Sequence, residues 1–304
     1  MNAVRLHPPG GIGGLAFEQV AVPSPGEGEA LVRVHAAAIT RDELDWPTDR
    51  LPAVPSYELS GVVEQLGDGV AGLSAGDAVF ALTGFDRDGV AAELTVVPAA
   101  VLAPKPRTLG HVESAALPMG GLTAWQGLFD HGGLEPGQRV LVLGARGGVG
   151  HLAVQLARAR GAEVVEQPGE PVDLVFDTAG GEPLRGAPAL VRPGGRLVSV
   201  AEEPPPSDAS SYFVVQPNRD QLVELARLAD DGALLPAVDS VFPLAEARAA
   251  FERVMAHGKR GKVVLRVVDD QDVSGTTQLD TGRSSKPITL TSSGTRSPRS
   301  WIAS

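Results

Sequence analysis

The residues with the clearest chemical potential form a glycine-rich cluster in the middle of the chain. A glycine has no Cβ, so the backbone can approach a ligand closely at such positions. The N-terminus of a following helix would offer free N–H groups and a favourable dipole to a phosphate. The cluster therefore predicts a pyrophosphate-binding turn, with an ordinary tight turn as the alternative. It consists of Gly144, Ala145, Arg146, Gly147, Gly148, Val149 and Gly150.

Apolar residues on both sides of the cluster indicate the elements that position it. Residues 140–143 are all apolar and are typical of a buried strand. After the cluster, apolar residues recur at helical spacing from Val149 to Leu156, and Gly161 ends the pattern. A strand, a glycine turn and a helix form the arrangement in which dinucleotide-binding glycines occur.

Composition excludes several classes of function. The chain has 304 residues, enough for two domains, and a net charge of −11, which disfavours nucleic acids and anionic membranes as partners. It has no cysteine, so a disulfide, a thiol nucleophile and a thiolate zinc site are excluded. No apolar run is long enough to span a bilayer, and no basic and then hydrophobic leader opens the chain. These features predict a cytoplasmic protein.

The remaining patterns predict two kinds of folded region and a tail. Residues 1–107 contain short alternating segments separated by Gly and Asp turns, which predict a small barrel. Apolar segments at 163–165, 172–177 and 195–200 follow the first strand and predict a parallel sheet with flanking helices. Residues 268–304 are rich in Ser and Thr, poor in apolar residues, and predict disorder.

Several segments together resemble one known family, the zinc-independent medium-chain dehydrogenase/reductases, in the branch of quinone oxidoreductases and enoyl reductases. They follow the family order from about residue 1 to 267. Besides the glycine cluster, they are Ser-Tyr-Glu-Leu-Ser-Gly-Val-Val at 56–63, Phe-Asp-Arg-Asp-Gly at 85–89, Ala-Leu-Pro-Met-Gly-Gly-Leu-Thr-Ala-Trp at 116–125, Phe-Asp-Thr-Ala-Gly-Gly at 176–181 and Arg-Gly-Lys-Val-Val-Leu at 260–265.

The resemblance implies an α/β fold made of a GroES-like β-barrel domain and a Rossmann-type parallel sheet domain. The barrel would comprise residues 1–107 and the Rossmann domain 108–243, and the chain would return to the barrel at 244–267. NADPH or NADH would bind between the two domains and donate a hydride to a quinone or to the C=C bond of an enone. The resemblance also implies a homodimer, formed through the Rossmann sheet near residues 195–240.

The resemblance implies roles for individual residues. The glycine cluster would lie under the cofactor pyrophosphate, and Thr123 would lie near the nicotinamide. Asp177 belongs to a segment that resembles the family's cofactor site. Three further residues would contact the nicotinamide end of the cofactor: Phe213, Val214 and Val215.

Zinc is not expected. Zinc-using members of the family place a cysteine and a Gly-His-Glu element in the first domain, where this chain has Ser56-Tyr57-Glu58 and no cysteine. Its six histidines also lack metal-ligand spacing. Polarisation of a substrate carbonyl would then need a hydrogen bond, for which Tyr57 is the first candidate and Asp42 the second. Equally, Tyr57 fits a residue at the edge of the core.

Two departures from the family leave a second hypothesis open. Arg146 replaces a small residue in the turn and could either clamp or obstruct the phosphates. Residues 166–171 replace several tens of residues that would form an edge strand and a wall of the adenine pocket. Glu166, roughly 20 residues after the glycines, suits a ribose-hydroxyl acceptor and disfavours a 2′-phosphate. The alternative is a protein without a cofactor that acts as a non-redox cyclase or isomerase, or as a binding protein.

Overall fold

A computed structural model describes residues 1–46, 49–167 and 169–268. All of them belong to one compact unit, Met1–Asp269. The tail predicted to be disordered lies outside the described residues, apart from Val268. No helix in the described part of the chain is long and apolar enough to cross a membrane.

The strands of the described residues follow the predicted distribution, with a β-rich first part and parallel strands later. They are β1 (Asn2–Leu6), β2 (Leu15–Gln19), β3 (Glu29–Ile39), β4 (Glu58–Leu66), β5 (Ala78–Leu82), β6 (Leu94–Pro98), β7 (Ala103–Pro104), β8 (Arg139–Leu143), β9 (Glu163–Val165), β10 (Val172–Asp177), β11 (Val191–Ser199), β12 (Ser210–Tyr212), β13 (Val238–Pro243) and β14 (Lys262–Arg266).

The first sheet has seven strands in the order β13-β14-β3-β4-β5-β7, with β6 also paired to β3. Its pairs are antiparallel except for β13 and β14. On β3, Val32 and Val34 are buried and Arg33 is exposed, as their alternation predicts. The pattern of residues 90–97 predicts a strand, but β6 begins only at Leu94. Before it, Val90 N–H bonds to Ser56 O at 2.8 Å in a loop.

The second sheet is entirely parallel, in the order β12-β11-β10-β8-β9. In the Rossmann order 3-2-1-4-5-6, β8 corresponds to strand 1 and β9 to strand 2. Residues 166–171 then connect β9 directly to β10, which takes the place of strand 4. Within the described residues, β9 is therefore the edge of the sheet, and no strand 3 lies beyond it.

The helices pack around both sheets. Residues 114–129 have a helical pattern with an internal proline, but the structure divides this region into α1 (His111–Ala115), α2 (Pro118–Trp125) and a π-helical turn at Gln126–His131. The division occurs at Pro118, which lacks an N–H and lies in the first turn of α2. The α-helices are α1 (His111–Ala115), α2 (Pro118–Trp125), α3 (Gly150–Ala159), α4 (Gly181–Gly186), α5 (Arg219–Asp230) and α6 (Ala247–Met255).

One buried core joins the two sheets. It includes Tyr57, which immediately precedes β4, Phe80 from β5, Leu122 from α2 and Phe176 from β10. Lys262 begins β14, which returns the chain to the centre of the first sheet beside β3. The positions of the two sheets are therefore fixed by shared packing, and a cleft is formed between them.

Candidate active site

An apolar cleft of about 410 Å³ lies between the two sheets. It opens beside the carboxyl ends of β11 and β12, where parallel sheets of this type bind their ligands. The only charged side chain among the described residues that line it is Asp42. The lining residues are Thr40, Asp42, Trp46, Phe85, Met119, Thr123, Val149, Val200, Tyr212, Phe213, Val214 and Val215.

Most of the residues predicted to contact the nicotinamide or the substrate meet in this cleft. Thr123 lines it from α2, and residues 213–215 line it from the segment after β12. Asp42 lies on the opposite side, in the segment after β3. Val149 brings the glycine cluster to the same cavity. These segments are distant in sequence, and the packing of the two sheets brings them together.

The glycine cluster forms a turn in which two positions require glycine. Gly144 has a φ of +82°, and a Cβ there would lie 2.5 Å from Thr178 Oγ1. A Cβ on Gly150 would lie 2.1 Å from the carbonyl oxygen of Gly144. Because His151 N–H donates to Gly147 O at 3.2 Å, the N–H groups of residues 148–150 precede the hydrogen-bond ladder of the helix. The turn therefore fits a phosphate group.

Arg146 does not fill the turn. Its side chain is exposed, and it makes no hydrogen bond or ion pair to any residue that the structure describes. Residues 144–147 are likewise exposed to solvent. The obstruction considered for Arg146 is therefore absent from this arrangement, and its guanidinium is available to an anion.

Beneath the cleft lies a buried polar network that the sequence patterns do not indicate. The ammonium group of Lys262 contacts the Glu58 carboxylate and donates to Thr40 Oγ1 at 2.8 Å. The other Glu58 oxygen accepts the N–H of Met119 at 2.9 Å. Both charged side chains are almost fully buried. A lysine is rarely buried unless it is paired. The position of Lys262 at the start of an apolar strand was therefore the sequence feature that could have indicated this network.

This network gives Thr40 a defined role as a donor. An ammonium group has no acceptor, so the Thr40 hydroxyl must accept the hydrogen bond from Lys262. Its own proton is then free to point into the cleft that Thr40 lines. Thr123 is the opposite case, because its hydroxyl donates to Met119 O at 2.6 Å and its oxygen can accept a further bond.

A second buried carboxyl group lies beside the network. One oxygen of Glu43 accepts the N–H of Thr40 at 3.0 Å, and the other has no partner among the described residues. Burial raises the pKa of Glu43 to about 8, and the nearby Glu58 carboxylate acts in the same direction. The hydrogen bond from the Thr40 N–H and the charge of Lys262 act in the opposite direction and lower the pKa of Glu43. At neutral pH, Glu43 is therefore mainly protonated and uncharged.

Tyr57 lies behind the cleft wall. Its side chain is fully buried, and its hydroxyl accepts a hydrogen bond from Arg50 Nη2 at 3.2 Å. The ring centroid lies 5.6 Å from that of Trp46 and 5.3 Å from that of Phe85, both of which line the cleft. Burial raises the pKa of Tyr57. In this position Tyr57 supports the aromatic wall, and it is not among the lining residues.

Two predicted cofactor contacts lie elsewhere. Asp177 is fully buried, and its carboxylate accepts the N–H of Gly180 at 3.1 Å and the Ser199 hydroxyl at 2.8 Å. It thus stabilises the turn after β10. Glu166 follows β9 at the edge of the sheet, where it pairs with Arg158 at 3.5 Å. Both roles as direct contacts stay predictions.

Two family models match the chain in the predicted order. Residues 26–107 match an alcohol dehydrogenase GroES-like domain. Residues 153–265 match the model described as a zinc-binding dehydrogenase. A probable mitochondrial zinc-binding oxidoreductase of Arthroderma benhamiae is 32% identical, with 84% of this chain and 93% of the relative covered. The chain belongs to the medium-chain dehydrogenase/reductase family.

Two further similarities identify the branch. A chloroplastic NADPH-dependent alkenal/one oxidoreductase of Arabidopsis thaliana is 31% identical, with 84% of this chain and 77% of the relative covered. The structure of a quinone oxidoreductase from Coxiella burnetii is 25% identical with a TM-score of 0.79, and covers 88% of this chain and 99% of that one. The predicted fold and the quinone and enoyl reductase branch are confirmed. The chain is an oxidoreductase of this branch, and the non-redox alternative is not favoured.

The residues that the structure describes do not form a zinc site. The chain has no cysteine, and the Glu58 carboxylate is already held by Lys262 and the Met119 N–H. Across residues 1–46, 49–167 and 169–268, no group of three His, Asp or Glu side chains could hold a metal ion. The family model that matches residues 153–265 is described as zinc-binding, but no ligand set for zinc is found among the described residues of this chain.

Proposed function

We propose that this protein transfers a hydride from NADPH or NADH to a quinone or to the C=C bond of an enone, without zinc. The observation that carries the proposal is the apolar cleft that reaches the glycine turn through Val149. An apolar site with few polar groups suits a flat, uncharged substrate. The named activities of the quinone and alkenal/one oxidoreductase relatives support the same substrate classes.

The cofactor would be held by the glycine turn and by the cleft. Its pyrophosphate fits against the N–H groups of residues 148–150, with Arg146 available as a counter-charge. Thr123 can accept a hydrogen bond from an amide, and the segment 213–215 offers an apolar surface beside it. When bound, the cofactor supplies the hydride, and the protein supplies position and electrostatics.

The substrate carbonyl would be polarised by Thr40. Thr40 lines the cleft, and its hydroxyl keeps a proton to donate because it accepts the hydrogen bond from Lys262. The buried ammonium group of Lys262 increases the ability of that hydroxyl to donate, and Glu58 offsets the charge of the ammonium. Asp42 is a second candidate, as a relay that would take up a proton from solvent and pass it to the substrate, since its side chain lines the same cleft. We assign Tyr57 to positioning of the wall rather than to proton transfer.

Zinc independence is part of this proposal. In place of zinc, a donor hydroxyl and a buried cation would polarise the substrate carbonyl, as a Lewis acid does in zinc-using enzymes. A homodimer and a cytoplasmic location stay predictions. The edge strand β12 lies in the region where the dimer is predicted.

The test is reduction of a naphthoquinone and of methyl vinyl ketone by metal-free protein with NADPH or NADH. Gly147→Glu places a carboxylate in the turn, where a Cβ meets only Gly144 O at 3.2 Å, so the fold should persist. We expect its turnover to fall by about 100-fold or more, because like charges repel at the pyrophosphate. Gly147→Ala is the control and should retain most of the activity. Unchanged turnover in Gly147→Glu would contradict the proposal.

A further inference from the structure

The adenosine side of the predicted cofactor site is built from very little protein. In the Rossmann order, strand 3 lies beyond strand 2 at this edge. Here β9 has only three residues and is the sheet edge within the described residues. The chain then reaches β10 through 166–171, and Arg139 holds this connection by contacts to Glu170 at 3.6 Å and to Pro171 O at 3.4 Å.

Solvent surrounds the end of β9. Residues 166, 167, 169, 170 and 171 are all exposed, and the side chain of Glu166 is 83% accessible. Among the described residues of this connection, no apolar side chain is buried to form a pocket wall. An adenine placed beside β9 would therefore lose little contact with water and would gain little binding free energy.

At the end of β9, one carboxylate and one guanidinium group form a pair whose charges offset each other. A carboxylate after strand 2 accepts a ribose hydroxyl, and an arginine nearby favours a 2′-phosphate. The Glu166 carboxylate and the Arg158 guanidinium, one of each kind, lie 3.5 Å apart on an exposed surface. The 2′-hydroxyl of NADH and the 2′-phosphate of NADPH would therefore both meet a neutral pair, which has no net charge to favour one cofactor over the other.

We propose that this enzyme uses NADH and NADPH with nearly equal affinity, and that it binds them through the nicotinamide and pyrophosphate rather than through the adenosine. The inference rests on the proposed function. It adds that the Arg158–Glu166 pair sets the cofactor preference.

The experiment measures dissociation constants by calorimetry for NADH, NADPH and adenosine 2′,5′-bisphosphate, with turnover as a second readout. We expect the constants for NADH and NADPH to agree within about fivefold, a difference of about 1 kcal/mol. The bisphosphate, which lacks the nicotinamide half, should not bind at about 1 mM.

Two matched variants test the charge pair. Glu166→Gln leaves Arg158 unpaired and should shift the preference about fivefold toward NADPH, whereas Arg158→Gln should shift it about fivefold toward NADH. The double variant should return to the wild-type ratio. Both side chains are exposed, and equal melting temperatures of the four proteins would show that the fold is unchanged.

The outcomes separate this inference from the proposed function. A wild-type preference above about 50-fold for either cofactor, or tight binding of the bisphosphate, would overturn the inference and leave the proposed function intact. An unchanged preference in both single variants would overturn the role of the pair. If NADH and NADPH both failed to bind and to support turnover, the proposed function and the inference would fail together.

Discussion

The two sides of the parallel sheet differ in how much protein surrounds a ligand. At the β12 side, the cleft has an aromatic wall of Trp46 and Phe85 and a buried polar network below it. At the β9 side, the short connection to β10 is exposed. Within residues 1–46, 49–167 and 169–268, no strand lies beyond β9 at the side that would hold adenosine, whereas walls surround the cleft where the reaction would occur. Binding energy and chemistry are expected at the same end.

The strongest way to test this contrast is Lys262→Met. It leaves the buried Glu58 carboxylate unpaired, which costs about 3–5 kcal/mol of stability, and it removes the cation behind Thr40. We expect kcat/KM for the quinone to fall by about 100-fold. Urea unfolding and steady-state kinetics measure the two effects.

The control is Lys262→Met combined with Glu58→Gln. This pair removes both charges, so much of the stability should return while the activity stays low. Equal activity of wild type and the double variant would show that the network serves folding alone.

Glu43→Gln tests the buried carboxyl group. The pKa of Glu43 is about 8 in the fold, against 4.5 ordinarily, so the folded state holds this proton more tightly. Its contribution to stability is complete below pH 4.5 and is lost as the pH rises to 8. Glutamine does not titrate. As the pH rises from 5 to 8, the free energy of unfolding of the variant should therefore increase by on the order of a few kcal/mol relative to that of wild type.

Urea unfolding of both proteins at pH 5 and pH 8 measures this difference. Glu27→Gln is the matched control, because it makes the same replacement at an exposed position. It should show no such change with pH. A parallel pH dependence of Glu43→Gln and wild type would mean that Glu43 is charged in the fold.

Thr40→Val should reduce kcat for both substrate classes by about 10-fold to 100-fold, because an isosteric side chain without a hydroxyl cannot donate to the carbonyl. Thr40→Ser keeps the donor and should retain most of the activity. The dissociation constant of NADH should be the same in all three proteins. A Thr40→Val enzyme with wild-type kcat would return the donor role to Asp42 or Tyr57.

Trp46→Ala should raise KM for the naphthoquinone by about 10-fold, since it removes an aromatic face of the cleft. The effect on KM for methyl vinyl ketone should be smaller, because that substrate has no ring to stack. Phe17→Ala removes an exposed aromatic residue outside the cleft and is the matched control. Equal changes for both substrates would point to a general loss of packing.

The smallest effect is expected at the β9 side. Glu166→Gln breaks an exposed ion pair and should change the free energy of unfolding by less than about 0.5 kcal/mol. If it instead destabilised the protein as much as Lys262→Met, the proposed contrast between the two sides would be wrong. Thermal unfolding at two salt concentrations distinguishes these results.

The two sheets, the glycine turn and the shortened connection could be predicted because each depends on nearby residues. Strand alternation, as in β3, and the glycine spacing are local patterns that reflect backbone geometry. The division of the helix at Pro118 is also local, because proline lacks an N–H. The late start of β6 depends on a tertiary contact, since the N–H of Val90 bonds to Ser56 O. Patterns of this kind do not reveal which buried side chain faces which cavity.

The sequence by itself determined the family resemblance, the absence of thiol ligands and the missing strand of the parallel sheet. Only the tertiary structure decided that Thr40, and not Tyr57, is among the residues that line the cleft. Lys262 meets Thr40 and Glu58 because β14 returns to the sheet beside β3, which itself pairs with β4. A buried charge is tolerated only with partners, and here those partners lie far away in the chain.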